Sequence, residues 1–399
     1  MKRKTSDQIS AEIIRHADQL FGQQVRWRRH LHAYPELSTR EFATTDYLKQ
    51  QLKSMKATIL PLRMPTGVLA EVHGQSKGRT VAIRSDIDAL PIVEKSGVSF
   101  RSKNAGCMHA CGHDMHMATV LGTAAILAKM KSQFVGTVRF IFQPAEEMPF
   151  GGARPMIANG ALKNVSAILG LHVDPHVGVG RIGLRDGVTM ASVYDFDLHI
   201  LGLGGHAARP HTAVDAITTA AEVIESLQKV VSREIDPVQP VVMTFGKISG
   251  GAARNVIADR VILTGTSRTL SPESARRIPA LIRRTVAGVC RARGAKFEMH
   301  EIARYPVLRN HAKVNRLFAN NFDQLFGGGE IETTELVLGG EDFACYLEKV
   351  PGAMFRLGIR NMKIGADKPW HSDKFMADEQ ALRYGSALLA ATAIAALES

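Results

Sequence analysis

The stretch Gly106-Cys107-Met108-His109-Ala110-Cys111-Gly112-His113-Asp114-Met115-His116 sets three histidines, two cysteines and an aspartate directly ahead of an apolar run, Ala118 to Met130. That run has no proline and is rich in alanine, leucine and isoleucine, so it reads as a buried helix starting near Gly112 or His113. Ligand-type side chains thus gather at the amino end of a helix, where unpaired N–H groups and the helix dipole favour an anion. On that ground Cys111 is expected to ionise more easily than a free thiol. A lone cysteine or histidine is most often an ordinary buried residue. Burying several together is costly unless something binds them, and the Cys-x-His spacing suits a metal.

Working outward, residues 8 to 31 have helical periodicity, broken by Tyr34-Pro35-Glu36. A second helix is expected from Thr39 to Met55, capped by Ser38 or Thr39 with Glu41 in its first turn. Short apolar segments then read as strands: Val68 to His73, Thr80 to Ile83, Thr137 to Gln143 and Ala167 to His172. Strands alternating with helices imply an α/β fold, a catalytic domain with a mixed sheet flanked by helices. Ligands of such sheets collect beyond the carboxyl ends of the strands. There the chain places Arg84-Ser85-Asp86-Ile87-Asp88, Gln143-Pro144-Ala145-Glu146-Glu147 and His172, which one cleft could collect.

The pattern changes near Leu184 to Gly187. Strand 192–201, helix 213–232, strands 239–248 and 259–268, helix 272–293 and strand 295–304 follow as β-α-β-β-α-β, an inserted split βαβ sandwich. The expected boundaries are 1–187 with 305–399 for a discontinuous catalytic domain and 188–304 for the insert. After Arg304 come a helix from His311 to Phe326, the turn Gly339-Gly340-Glu341-Asp342-Phe343, a strand near Ala353 to Gly358 and a last helix from Asp378, with His371 just before it.

Adjacent carboxylates such as Glu146 and Glu147 repel, and a cation would relieve them. One would bind the metal and the other serve as general base toward water. Cys111, His113, Glu147, His172 and His371 exceed what one tetrahedral ion needs, so two ions fit better. Asp86 and Asp88, or Glu341 and Asp342, could hydrogen-bond the ligand histidines, with His109 and His116 in supporting or packing roles. Arg154 suits either a substrate carboxylate or a surface ion pair. His211 reads as an exposed loop residue, and Cys290 and Cys345 as core.

Taken in order, Arg28-Arg29-His30-Leu31-His32, Pro35-Glu36-Leu37, Ser85-Asp86-Ile87-Asp88-Ala89-Leu90-Pro91, Met108 to His116, Gln143 to Glu147, Gly204-Gly205-His206-Ala207-Ala208-Arg209-Pro210-His211, Arg254-Asn255-Val256-Ile257, Gly339 to Phe343 and Trp370-His371-Ser372 form one series. The series resembles the di-metal amidohydrolases that include hippurate hydrolase, plant indole-acetyl-amino-acid hydrolases and related N-acyl-amino-acid amidohydrolases and carboxypeptidases. The resemblance covers nearly the whole chain. It implies Cys111, His113, Glu147, His172 and His371 as ligands of two divalent ions per subunit (zinc, manganese, cobalt or nickel). It implies Glu146 as catalytic base, His206 as a group holding the scissile carbonyl, in its own or a partner's site, and Asn255 and Gly340 as substrate contacts. The insert would pair subunits into a homodimer, with a tetramer as the alternative. Ser85 stands where alanine is usual and Gly340 where serine is common, departures that bear on substrate preference.

The expected activity is hydrolysis of the amide of an N-acyl-amino acid, with a dipeptidase or carboxypeptidase as the alternative and a ligand-binding protein without turnover as the rival from another class. At 399 residues, two domains are the natural expectation, and 45% hydrophobic and 22% charged residues are those of an ordinary globular protein. Four cysteines are too few for a disulfide framework. The net charge of +12 is scattered and lacks a stripe of stacking aromatics, which argues against nucleic acid and for steering of a small anion. Met1-Lys2-Arg3-Lys4 is followed by a polar segment where a signal peptide has its apolar core, and Ala387 to Leu397 is too short to span a bilayer. A cytoplasmic protein without a membrane partner is expected.

Overall fold

A computed structural model describes residues 5–399; the basic Met1-Lys2-Arg3-Lys4 lies outside them. The chain divides into two compact units. One comprises the chain up to Gly187 with Arg309–Glu335 and Cys345–Ser399, the other Val188–Leu308 with Leu336–Ala344. The turn Gly339 to Phe343 groups with the second unit.

The first unit is built on an eight-stranded mixed sheet. Its strands run in the order Thr58–Leu60, Val68–His73, Thr137–Gln143, Thr80–Asp86, Val165–Gly178, Gly352–Arg360, Ile182–Leu184 and Ile331–Thr333. The four strands from Thr137–Gln143 to Gly352–Arg360 are parallel. Asp86 pairs with Gln143 and Arg356 with His172, so the polar residues reach one edge of the parallel core. The strand expected to close at His172 continues to Gly178, which puts His172 inside the strand; pairing with Gly352–Arg360 extends it beyond the apolar segment.

Helices Ser6–Ala33, His113–Lys129 and Ala381–Glu398 pack on one another. Every residue from His113 to Leu127 is buried, as a helix apolar on all sides requires. Glycine lets these helices meet: a Cβ on Gly122 would lie 2.0 Å from Gln24 Nε2, and one on Gly385 2.8 Å from Thr119 Cγ2. The second helix, Phe42–Ser54, is not capped by Ser38 or Thr39. Glu41 occupies the cap position without capping, and Glu36 from the preceding turn accepts the Ala43 and Thr44 N–H groups at 3.1 and 2.7 Å.

The second unit carries a four-stranded antiparallel sheet in the order Val241–Gly250, Arg260–Thr269, Ser192–Leu201 and Lys296–Tyr305. Helices Ala216–Arg233 and Pro272–Arg293 pack on it through Phe196, Leu198, Leu263, Val223, Ile282 and their neighbours. Local signals set the helix ends. Asp215 accepts from Ile217 and Thr218 N–H, Ser271 accepts from Ser274 N–H ahead of Pro272, and Gly294 closes its helix at φ 70°. Among the described residues no helix is long and apolar enough to cross a membrane; Ala387 to Leu397 lies buried in the last helix, apart from the half-buried Ala395.

Candidate metal centre

Gly112 starts the decisive helix in the left-handed region, φ 86°, where a Cβ would also sit 2.4 Å from Val173 Cγ2. Only glycine fits there. The turn places Cys111 just ahead of the helix and buries it, and burial outweighs the easier ionisation that the helix start suggests. Burial, with Glu147 adding to it, pushes the Cys111 thiol up to about 12. A thiolate at this position needs a cation.

The histidines are held so that defined nitrogens face one another. His113 Nδ1 lies 2.8 Å from the Asp88 carbonyl and donates to it, which leaves the buried Nε2 as the available lone pair. That Nε2 has no hydrogen-bond partner among the described residues. His172 likewise donates Nδ1–H to the Val173 carbonyl at 2.8 Å and turns Nε2 toward Cys111 Sγ at 3.6 Å. Burial, then His116 and Arg356, holds His172 well below the usual histidine range, so its ring is neutral. His116 is fully engaged: Nε2 accepts the Val173 N–H at 2.9 Å, and Nδ1 therefore donates to Asp86 Oδ1 at 2.6 Å. Burial opposes the charge on Asp86, but His113, His116 and Arg84 outweigh it and keep the carboxyl well below its ordinary range.

Glu147 arrives from the turn after strand Thr137–Gln143, its N–H bound to Asp88 Oδ2 at 3.0 Å. Among the described residues its buried Oε1 has no hydrogen-bond partner; His371 Nε2 stands 3.5 Å away and His113 Nε2 3.9 Å. His371 sits at φ 64° with its N–H on the Ala110 carbonyl at 2.9 Å, which pins it beside the Cys111 turn. Glu147 raises its pKa above the ordinary value.

Three overlapping groups result, each with ligand atoms within 4.8 Å of one another: Cys111 with His113 and His172, Cys111 with Glu147 and His371, and His113 with Glu146 and Glu147. Cys111 is common to the first two. A thiol, imidazoles and carboxylates with unsatisfied buried atoms form a donor set of mixed softness that fits divalent transition metals.

The first unit thus brings together Cys111, His113, Glu146, Glu147, His172 and His371, with Asp86 and Asp88 behind the histidines. His206, Asn255 and Gly340 belong to the second unit. His206 and Asn255 share one small ribbon there, where strand Gly205–His206 pairs with Val256–Ile257 and Ala207 N–H donates to the Asn255 carbonyl at 3.1 Å. Both are exposed. A Cβ on Gly340 would lie 2.1 Å from Val193 Cγ2, a local reason for glycine. Glu341 also lies in the second unit, its Oε1 accepting the Phe343 N–H at 2.9 Å. Arg154 and His211 are exposed, whereas Cys290 and Cys345 are buried. His109 is fully buried and burial pulls its pKa down to about 4. Glu41, which the sequence places only in the first turn of the second helix, also reaches the site: its carboxylate accepts the Ala145 N–H at 2.9 Å from 104 residues away.

Residues 82–395 match the model of a family described as Peptidase family M20/M25/M40. An N-acetylcysteine deacetylase of Bacillus subtilis is 40% identical over 94% of this chain and 97% of its own length. Thermostable carboxypeptidase 2 of Saccharolobus solfataricus is 37% identical over 94% of each chain. A crystal structure from Bacillus subtilis, described as a dinuclear metal binding peptidase from the M20 family, superposes with a TM-score of 0.83 at 36% identity, covering 96% of this chain and 99% of its own.

Proposed function

The chain belongs to peptidase family M20/M25/M40 and is a hydrolase, and from that premise we propose that it cleaves the amide bond of N-acyl-amino acids to a carboxylic acid and an amino acid. The observation that carries the proposal is the pair of three-residue groups sharing Cys111, with Glu146 grouped beside His113 and Glu147. The similarity to a deacetylase of an N-acetyl amino acid supports the choice of substrate.

Cys111, His113, Glu147, His172 and His371 would hold two divalent ions. When bound, such ions lower the pKa of water toward neutrality and polarise an acyl carbonyl. Glu146 takes the proton of the attacking water and returns it to the departing amine nitrogen, so one carboxylate serves both halves of the reaction. The carbonyls and carboxylates behind His113, His116 and His172 keep each ring in one tautomer and orientation. His206 is assigned to the acyl oxygen, where a donor would stabilise developing negative charge, and Asn255 and Gly340 to substrate contact. The second unit is assigned to lid and dimerisation roles.

Amine release from N-acetyl, N-benzoyl and N-indoleacetyl amino acids and a few dipeptides, with enzyme stripped by chelator and reloaded with each metal, tests the proposal. Turnover of an N-acyl series is expected, and Glu146→Gln should lower kcat at least about 100-fold while metal stays bound. Full activity of that variant would remove Glu146 as the base. The similarity to a carboxypeptidase favours a second reading on the same centre, and faster release from dipeptides than from their N-acetyl counterparts would select it.

A further inference from the structure

The turn that presents Glu146 and Glu147 is braced from 104 residues upstream. Ala145 immediately precedes the pair and sits at φ 57°, a left-handed conformation that costs an alanine energy it would not cost glycine. Its N–H is directed to Glu41 Oε1 at 2.9 Å. The same oxygen accepts the N–H of Thr39 at 2.9 Å, and Thr39 is left-handed too, at φ 68°. Glu41 is fully buried. One carboxylate therefore ties together two strained backbone positions on different segments.

The segment that carries Glu41 is itself anchored to the site. Leu37 bridges to Ala89, Ala89 N–H donates to the Glu36 carbonyl at 2.9 Å, and Ser38 Oγ donates to Asp88 Oδ2 at 2.6 Å. Asp88 Oδ2 in turn receives the Glu147 N–H. Glu147 thus has its own tether through Asp88, whereas the Ala145 amide next to Glu146 is held by Glu41. Close packing allows the turn little slack elsewhere: a Cβ on Gly152 would lie 1.8 Å from the Pro144 carbonyl oxygen.

We propose that Glu41 is a positioning residue for Glu146, holding the Ala145 amide so that the left-handed turn keeps the base aimed into the cleft. The proposal rests on the assignment of Glu146 as base. Because Glu147 is tethered separately, removing Glu41 should displace the base and spare the metal. A displacement of about 1 Å in a reacting group can cost on the order of 100-fold in rate.

The test uses the metal-loaded full chain with the preferred N-acyl-amino acid. Glu41→Ala should lose about 100-fold in kcat, with KM and bound metal close to wild type. Glu41→Gln, which keeps an acceptor oxygen in place, should restore most of that activity. In Glu41→Ala with Ala145→Gly, glycine adopts the left-handed turn without strain, and part of the loss should be recovered. Should Glu41→Ala fail to accumulate folded, Glu41→Asp, one methylene short of the Ala145 N–H, replaces it with the same expectation. Wild-type kcat in the Ala or Asp variant, or an equal loss in Glu41→Gln, would overturn the proposal. Glu146→Gln in the same series separates the two claims. Full activity there removes the base itself, whereas an inactive Glu146→Gln beside a fully active Glu41→Ala removes only the brace.

Discussion

Removing the Asp88 carboxylate should weaken both the metal centre and the fold around it. The side chain is fully buried. Its Oδ2 receives Ser38 Oγ–H at 2.6 Å and Glu147 N–H at 3.0 Å, while Oδ1 stands 3.4 Å from His113 Nδ1. Burial works against its charge, but the neighbouring His113 keeps its pKa below the ordinary value. Hydrogen bonds to a charged acceptor contribute about 1.5–3 kcal/mol each, so Asp88→Ala gives up about 3–6 kcal/mol in local interactions if none is replaced. The His113 proton keeps its main acceptor, the Asp88 carbonyl, in any variant. The damage should therefore fall on Glu147, whose N–H loses its partner. Loss of such supporting contacts typically costs about 10–100-fold in metal affinity. Asp88→Ala should approach the upper figure, and Asp88→Asn, which keeps one oxygen for Ser38 and Glu147, the lower. Competition against a chelator of known affinity measures this, with thermal unfolding alongside. Wild-type metal affinity in Asp88→Ala would refute the reasoning.

A buried bridge sets a pH window for stability. Burial alone would lower the His32 pKa, but Asp114 on Nδ1 at 2.9 Å and Glu94 on Nε2 at 3.1 Å raise it above 6.5. That stabilisation is complete below pH 6.5 and is lost as pH rises through the folded-state pKa. Burial also opposes the Glu94 charge, yet His32 and the Ser102 N–H bring it down to about 2, so its share holds above pH 4.5 and fades as pH falls toward 2. Urea midpoints across pH should show both limbs in wild type and a flattened alkaline limb in His32→Gln; parallel curves would contradict the bridge. In the second unit, Gly340→Ser should destabilise by about 1–3 kcal/mol through overpacking on Val193, and Val193→Ala should recover most of it. An unchanged melting temperature in Gly340→Ser would show that the turn yields.

How much of this was legible in the sequence depended on how local each signal was. Strands Val68–His73 and Thr137–Gln143 are bounded by glycine and proline, and their apolar runs mark both ends. Helix Pro272–Arg293 announces itself through Ser271-Pro272 and Gly294. Strands Thr58–Leu60, Ile182–Leu184 and Ile331–Thr333 are three residues long and offer no periodicity to read. The cap of the second helix was misplaced because Glu36 reaches it from seven and eight residues away. At the site, Cys111 and His113 stood out by spacing, whereas His371 had almost no local signal and reaches Glu147 through the fold. The state of the Cys111 thiol escaped a helix-dipole argument because burial is a tertiary property. The reach of Glu41 to the site escaped for the same reason, since its partner amide is distant in sequence.

The most direct test of the central claim is a titration of chelator-stripped enzyme with one divalent metal, following bound metal per chain and turnover of an N-acyl-amino acid together. The account predicts an inactive stripped enzyme whose activity rises until two ions are bound per chain, with Cys111→Ala disturbing both steps because Cys111 is common to the two groups. Full turnover without metal, or saturation of activity at one ion with Cys111→Ala unaffected, would contradict it.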